Sequence, residues 1–412
     1  MSEAMMPKQM PIIKITSGKH AGECDATKSQ KCSNPIGSCL VENSSFSYTF
    51  HAMVSPLEQE SKIHQLSPYV GKLKSQIAKE LILEFSERDQ LIFDPFSGSG
   101  TIPLEAKLNF RRSFSSDVSP YSRILTLAKL NAPNSVDDGL REMNSLIEIS
   151  ERLPLPDLRS VPAWVRSFFD PQTLKETIRF FDCALKRKAY FQIACMLGIL
   201  HHQRPGFLSY PSSHLTPYLR DKKFPRSEYP DMYKYRDFRP RLEKKITRAL
   251  SGASQVNSTP NRPKVSEFRQ ASIFGVTWPD SINLVLTSPP YMNALDYGRD
   301  NRLRLWFITK QIDSKVDKKN ITRKPNFTRA MKLIGQNSDE RLQPGGCVVL
   351  IIGETVSKGR QENTAAIAKE MVLSNTSLKL VDIRDKPIPD LRRSRKNCRA
   401  VTNEQVLVFQ KK

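Results

Sequence analysis

Gln90–Ala106 reads QLIFDPFSGSGTIPLEA. Its opening residues, QLIFD, form a short apolar run ending in an acid, the pattern of a buried strand. The segment TIPLEAKL that begins at Thr101 reads as the start of a helix. Between them, Asp94-Pro95-Phe96-Ser97-Gly98-Ser99-Gly100 must carry the chain from strand to helix within a few residues. Glycine belongs at such a turn. Without a Cβ, Gly98 and Gly100 permit tight backbone conformations and close approach of a ligand, and the helix that follows presents unpaired amides at its start. Asp94 stands at the carboxyl end of the strand, where open α/β sheets bind ligands.

Working outward, KSQIAKELILEF before the strand has apolar residues at helical spacing, and RRSFSSD after the helix reads as a second strand, making a βαβ unit. Asp117 closes that second strand roughly 20 residues after Asp94, a position suited to the hydroxyls of a ribose. Short Gly-x-Gly strings also occur in plain turns; the acid at Asp117 and the intervening helix with Glu105 and Ala106 favour a binding site.

Four regions follow along the chain. Residues 1–45 are rich in Ser, Lys, Asn and Gly without periodicity and read as a flexible arm. Residues 46–133 hold the βαβ unit, residues 134–261 show weaker periodicity and obvious insertions, and residues 262–412 return to strands: INLVL, CVVLIIG, LKLVDIRD and EQVLVFQ. This alternation predicts an α/β fold with a mostly parallel sheet, helices on both faces, and a terminal hairpin from the last two strands.

The chain has 412 residues and is 39% hydrophobic, enough for a sizeable core, with no apolar run near the roughly 20 residues that span a bilayer. The N-terminus does not read as a secretory signal, so the expected compartment is the cytoplasm or nucleoid of a prokaryote. A net charge of +22 points to a polyanionic partner, nucleic acid first, because neutralised phosphates release counterions. Seven dispersed cysteines do not form a disulfide framework. Cys24, Cys32 and Cys39, with His20 and His51, match no usual zinc spacing, and no metal is expected.

A second motif closes the apolar run INLVL: Leu286-Thr287-Ser288-Pro289-Pro290-Tyr291. Consecutive prolines end a strand but leave their carbonyls free to accept hydrogen bonds, and an aromatic lies beside them. An exocyclic amine on a base is a poor nucleophile, because its lone pair is delocalised into the ring. Two acceptors, the Ser288 hydroxyl and the Pro289 carbonyl, could take its hydrogens and direct the developing lone pair. Pro290 would stiffen the platform, and Tyr291 would stack on a base extruded from the duplex.

DPFSGSGTIPLEA, SSDVSP and LTSPPY together resemble the S-adenosylmethionine-dependent amino-methyltransferases of DNA. The likeness covers residues 46–133 and 262–412, and implies a Rossmann-like methyltransferase fold with an inserted target-recognition region. It implies donor contacts at Asp94, Phe96, Gly98, Gly100 and Thr101, a ribose contact at Asp117, and catalysis by Ser288, Pro289, Pro290 and Tyr291. HQLSPYVGKLKSQIAKELI resembles the family segment before the glycine motif, suggesting Tyr69, Gly71 and Lys72 near the methionine end of the donor. LDYGRDNRLRLWF and LQPGGCVVLIIG resemble later framework motifs. The family often has an acid after the third strand; here EFRQASIF offers only Gln270, which is left out of the expected site.

Serine before the prolines is typical of the members acting on cytosine N4, so the resemblance implies a cytosine-N4 DNA methyltransferase, in a restriction-modification setting with a cognate endonuclease as a possible partner. The alternatives are adenine N6, guanine N2 in RNA, and a basic nucleic-acid-binding protein with a vestigial donor pocket. The RNA enzymes usually show an acid before the prolines and an N-terminal RNA-binding domain, for which the arm leaves no room.

Residues 201–250 carry 12 Lys or Arg against 5 Asp or Glu, with Tyr and Phe interleaved, a composition suited to phosphates and base stacking. Arg236, Arg239, Arg241 and Lys244 are the expected DNA contacts there, and Arg393 in LRRSRKNCR marks a second phosphate-binding loop. His201 and His202 are expected to be structural or phosphate-contacting.

Overall fold

The computed structural model describes residues 60–202, 204, 206–213, 216–251, 266–292, 296–311, 321–357, 360–387 and 401–412. The expected N-terminal arm, Cys24, Cys32, Cys39, Cys398, His20, His51 and Arg393 lie outside these residues. Helix α1, Ser75–Phe85, buries Ile77, Ala78, Leu81 and Ile82 along one face. Strand β1, Leu91–Asp94, is buried at every position. The glycine turn leads into α2, Thr101–Leu108, and the chain returns in β2, Arg112–Ser116, parallel to β1. Helix α3, Pro120–Leu130, starts on a proline whose fixed φ and missing amide suit a first turn.

Where periodicity was weak the chain is strongly helical. Helices α4 (Val136–Glu151), α5 (Ala163–Arg166), α6 (Pro171–Lys186), α7 (Tyr190–Ile199) and α8 (Arg239–Leu250) occupy much of residues 134–250. Their starts are locally encoded. Ser135 Oγ accepts from the Asp138 amide at 3.0 Å, and Asp170 Oδ1 accepts from the amides of Gln172 and Thr173 at 2.9 and 3.1 Å, with Pro171 in the first turn. Helix α7 shows no amphipathic pattern because Phe191 through Ile199 are all buried. These helices share one apolar core with α3: Tyr121, Ile124 and Leu125 pack with Leu146, Phe181, Leu197 and Ile246. The approach is close at Gly198, where a Cβ would lie 2.1 Å from the Leu66 carbonyl oxygen.

The remaining strands are β3 (Ser266–Arg269), β4 (Ile282–Thr287), β5 (Leu342–Ser357), β6 (Arg360–Glu362), β7 (Lys379–Pro387) and β8 (Val401–Gln410). Between and among them lie α9 (Tyr297–Asp300), α10 (Arg302–Thr309), α11 (Lys324–Arg341) and α12 (Thr364–Leu373). The sheet order is β3-β2-β1-β4-β5-β8-β7, with β6 paired to β5. Strands β3, β2, β1, β4 and β5 run parallel, and β8 runs antiparallel to both β5 and β7, so β7 and β8 form the expected hairpin.

Alternation along the strands separates two cores. Ile92, Leu284, Leu286, Val349 and Val408 face α1 and α2, whereas Phe93, Val285, Val348, Leu350 and Phe409 face α11 and α12. This is the Rossmann-like methyltransferase architecture that the sequence implied. Among the described residues, no helix is long and apolar enough to cross a membrane. The chain moves outward from β1 through β2 to β3, then returns to β4 on the other side of β1. A crevice therefore opens at the carboxyl ends of β1 and β4, where the two sequence motifs meet.

Candidate active site

Asp94 ends β1 and Thr287 ends β4, and the Thr287 hydroxyl donates to Asp94 Oδ1 at 2.7 Å. The Phe96 amide donates to the same oxygen at 3.1 Å, while Asp94 Oδ2 is buried without a partner. Burial pushes the Asp94 carboxyl up to about 7, against the Thr287 and Phe96 hydrogen bonds and with the Asp117 charge. Asp117 spans the turn, its two oxygens accepting from the amides of Gly98 and Ser119, each at 2.8 Å. Burial also raises its pKa, and the backbone donors oppose this.

Gly100 has φ +72, and a Cβ there would lie 2.8 Å from Thr126 Cα of α3. The turn is thus seated directly on α3, where Ser97 Oγ and Thr126 Oγ1 are 2.8 Å apart. Behind the turn lies a buried polar cluster that spacing did not reveal. Lys129 of α3 is 2% exposed and its Nζ donates to the Ser99 carbonyl. His64 Nε2 and Glu105 Oε1 are 2.6 Å apart, and burial raises Glu105 to about 7. Thr101 is buried, its hydroxyl 2.9 Å from that of Ser99.

A cavity of about 560 Å³ opens over the turn. Asp94, Phe96, Gly98, Thr101 and Asp117 line it, as do Tyr69, Gly71 and Lys72 from the segment before α1 and Ser288 and Pro290 from the second motif. Gly100 is absent from the lining, its role being to seat the turn on α3. Pro289 is buried. Tyr291 is also outside the lining: its hydroxyl donates to Glu404 Oε1 of β8 at 2.8 Å and lies 3.5 Å from Ser288 Oγ. Burial and the Glu404 charge hold the Tyr291 phenol well above its ordinary pKa.

Several lining residues escaped the sequence reading. The loop after β3 contributes Ala271, Ser272, Ile273, Phe274 and Gly275, whereas Gln270 is exposed and absent from the lining. Tyr297 of α9 adds an aromatic wall 6.1 Å from the ring of Tyr69, and Asn326 and Arg329 come from α11, the Arg329 guanidinium 4.7 Å from the centre of Phe274. These positions are dispersed in sequence, so only the resemblance of LDYGRDNRLRLWF offered a signal for Tyr297.

The expected cations divide. Arg236 is 7% exposed, and its guanidinium donates to the carbonyls of Phe207, Ser209 and Met232, so it holds the fold together and cannot serve as a surface contact. Arg239 pairs with Glu151 and with Asp237, and Arg241 donates to the Asp237 carbonyl at 2.6 Å. Lys244 is exposed on α8. His201 Nδ1 lies 2.9 Å from the Ser213 carbonyl, and His202 stacks on Phe207 with ring centres 4.7 Å apart, both inside the fold.

An exposed basic and aromatic strip lies instead at residues 218–234. Tyr218 is 48% exposed beside Arg220, and Arg226 lies over the rings of Tyr210 and Tyr233 at 5.0 and 4.7 Å. Its base is tied to the cavity wall. The Thr216 hydroxyl donates to Asp300 of α9 at 3.1 Å, and Arg302 donates to the Pro217 carbonyl at 2.8 Å.

The cavity residues fit S-adenosylmethionine. Asp94 Oδ2 offers an unpartnered buried acceptor to a cation, Asp117 lies at the end of β2 for ribose hydroxyls, and Ile273 and Phe274 offer an apolar surface to a purine. Residues 67–134 match the family described as UPF0020, RMKL-like, methyltransferase domain. The chain is 23% identical over 283 residues to the type II methyltransferase M.MvaI of Kocuria varians, an alignment spanning 61% of this chain and 59% of that relative. Among solved structures, TrmN from Thermus thermophilus is similar at 12% identity with a TM-score of 0.36, over 85% of this chain and 53% of that one. An rRNA methylase from Streptococcus thermophilus is similar at 8% identity and a TM-score of 0.30, over 83% of this chain and 98% of that one. Sheet order, site and family match define the class: a Rossmann-like methyltransferase fold with a pocket for S-adenosylmethionine.

Proposed function

We propose that this protein methylates the exocyclic N4 amine of a cytosine extruded from DNA, using S-adenosylmethionine, as the modification component of a system that can include a cognate endonuclease. The reading is carried by one observation: Asp94, Gly98 and Asp117 line the same cavity as Ser288 and Pro290, with Thr287 bonded to Asp94 at their junction. The similarity to a type II methyltransferase supports DNA as the substrate.

When bound, S-adenosylmethionine supplies an electrophilic methyl group on a positively charged sulfur. Asp94 Oδ2 would attract the donor's positive charge, and Asp117 would hold its ribose. The Ser288 hydroxyl and Pro289 carbonyl would accept the two amine hydrogens, turning the nitrogen lone pair toward the donor cavity; as the N–C bond formed, the S–C bond would break, and the proton lost by the amine would pass to solvent. Tyr291, tethered by Glu404, offers a ring of fixed orientation for stacking on the extruded base. Tyr218, Arg220, Lys222, Lys223 and Arg226 meet the flanking strand through stacking and phosphate contacts, with Lys244 as an outlying cation.

Incubation with labelled donor and DNA of varied sequence, followed by identification of the product base, tests this proposal. N4-methylcytosine in DNA is the expected product. N6-methyladenine would change the target base, product only in RNA would reverse the substrate, and a folded protein that binds no donor would remove the catalytic reading.

A further inference from the structure

We infer that Thr287 is a positioning residue that aims Asp94 at the donor and couples the donor-binding turn to the target-binding motif. The inference rests on the reading of the cavity as an S-adenosylmethionine site. Thr287 is fully buried as the last residue of β4, and its hydroxyl gives Asp94 Oδ1 a hydrogen bond across 193 positions of sequence. Together with the Phe96 amide, that bond occupies Oδ1, leaving Oδ2 buried without a partner in a side chain that lines the cavity. A carboxylate with one oxygen satisfied and the other open has a single direction in which to receive a cation. Thr287 also immediately precedes Ser288, so one residue ties down the donor-facing acid and begins the turn that holds the target amine.

The bond acts through charge as well as orientation. A hydroxyl donor favours the ionised carboxylate, opposing the burial that raises Asp94 to about 7. Asp117, at the end of β2, and Tyr69, from the segment before α1, interact electrostatically with Asp94, and Lys72, Tyr297 and Arg329 line the same cavity. Asp117 and Tyr69 disfavour further negative charge or are disfavoured by it, and the hydrogen bonds from Thr287 and the Phe96 amide favour the ionised acid against burial. Removing the hydroxyl raises the Asp94 pKa further. Because a cation prefers the ionised form, donor affinity in such a variant recovers only at higher pH.

Thr287→Val keeps the shape and removes the hydroxyl; Thr287→Ser keeps the hydroxyl. Binding of S-adenosylmethionine to the full chain is titrated calorimetrically from about pH 6 to about pH 9, and the Asp94 carboxyl carbon is followed by NMR without donor. In Thr287→Val the midpoint for donor binding and the Asp94 titration should both move up by about one pH unit, with affinity near pH 7 falling about fivefold and approaching wild type near pH 9. Thr287→Ser should retain wild-type behaviour. An equal loss at every pH, or an unmoved Asp94 titration, overturns the inference. If wild type binds no donor at any pH, the donor reading falls, whereas the NMR titration still reports on the Thr287–Asp94 bond.

Discussion

The cavity has two unlike walls. The wall made by the glycine turn draws Asp94, Phe96, Gly98 and Asp117 from one continuous unit between β1 and the end of β2, with its polar groups held by backbone amides of the turn and, for Asp94, by Thr287 of β4 as well. The facing wall gathers Tyr69, Phe274, Ser288, Tyr297 and Arg329 from five separate segments. The first is a property of a strand, a turn and a helix, whereas the second exists only when the whole sheet is assembled. Donor binding should therefore survive changes to Ser288 and Tyr291 that abolish transfer, and changes to the turn should remove both.

The largest expected effect tests that separation. Ser288→Ala and Tyr291→Ala should lower single-turnover transfer from labelled donor by about 100-fold while donor affinity changes less than about twofold. A collapse of donor binding would show that the walls are not independent. Gly100→Val should damage the other wall: its side chain meets α3 at a φ that valine avoids, so donor affinity should fall by about 30-fold and thermal unfolding should report a loss of about 3 kcal/mol.

Asp94→Asn sharpens the comparison through pH. The folded Asp94 carboxyl titrates at about 7, above the ordinary value of 3.8, so wild-type donor affinity should rise as pH climbs through about 7. The asparagine variant should be weaker and flat with pH in the same calorimetric titration. The linkage to stability has the opposite sign: ionising Asp94 costs the wild type folding energy between about pH 4 and about pH 7, so Asp94→Asn should unfold at a higher temperature than wild type at about pH 8. The smallest effect belongs to the outer strip. Tyr218→Ala should weaken DNA binding by about fivefold, and Arg220→Ala should reduce the salt slope by about one, whereas Arg236→Ala should lower the unfolding temperature without changing that slope.

The legibility of the sequence follows the same division. QLIFDPFSGSGTIPLEA could be read because strand, turn and helix are adjacent, and LTSPPY because a proline pair cannot continue β4. Helix α7 could not be read from amphipathic spacing, since a helix buried on every side has no polar face. Charge counting identified the basic insert but misassigned Arg236, because composition does not reveal that three backbone carbonyls accept from its guanidinium. Gln270 looked like the polar group nearest the expected third strand, yet the lining falls one to five residues later, at Ala271 to Gly275. Lys129 and the His64–Glu105 pair depend on contacts between segments distant in sequence.

Gly198 bears on how a protein of this kind can change its preferences over evolutionary time. Its missing side chain lets α7 press against the Leu66 carbonyl, in the same segment that supplies Tyr69 to the cavity. The helices between α3 and β3 are consequently a poor cassette for exchange: a foreign block with even alanine at that position would push on the donor pocket's own approach segment. If the exposed strip at 218–234 meets the flanking strand as proposed, substitution along it is an easier route to new specificity than recombination of the whole region, because it leaves the Gly198–Leu66 contact in place.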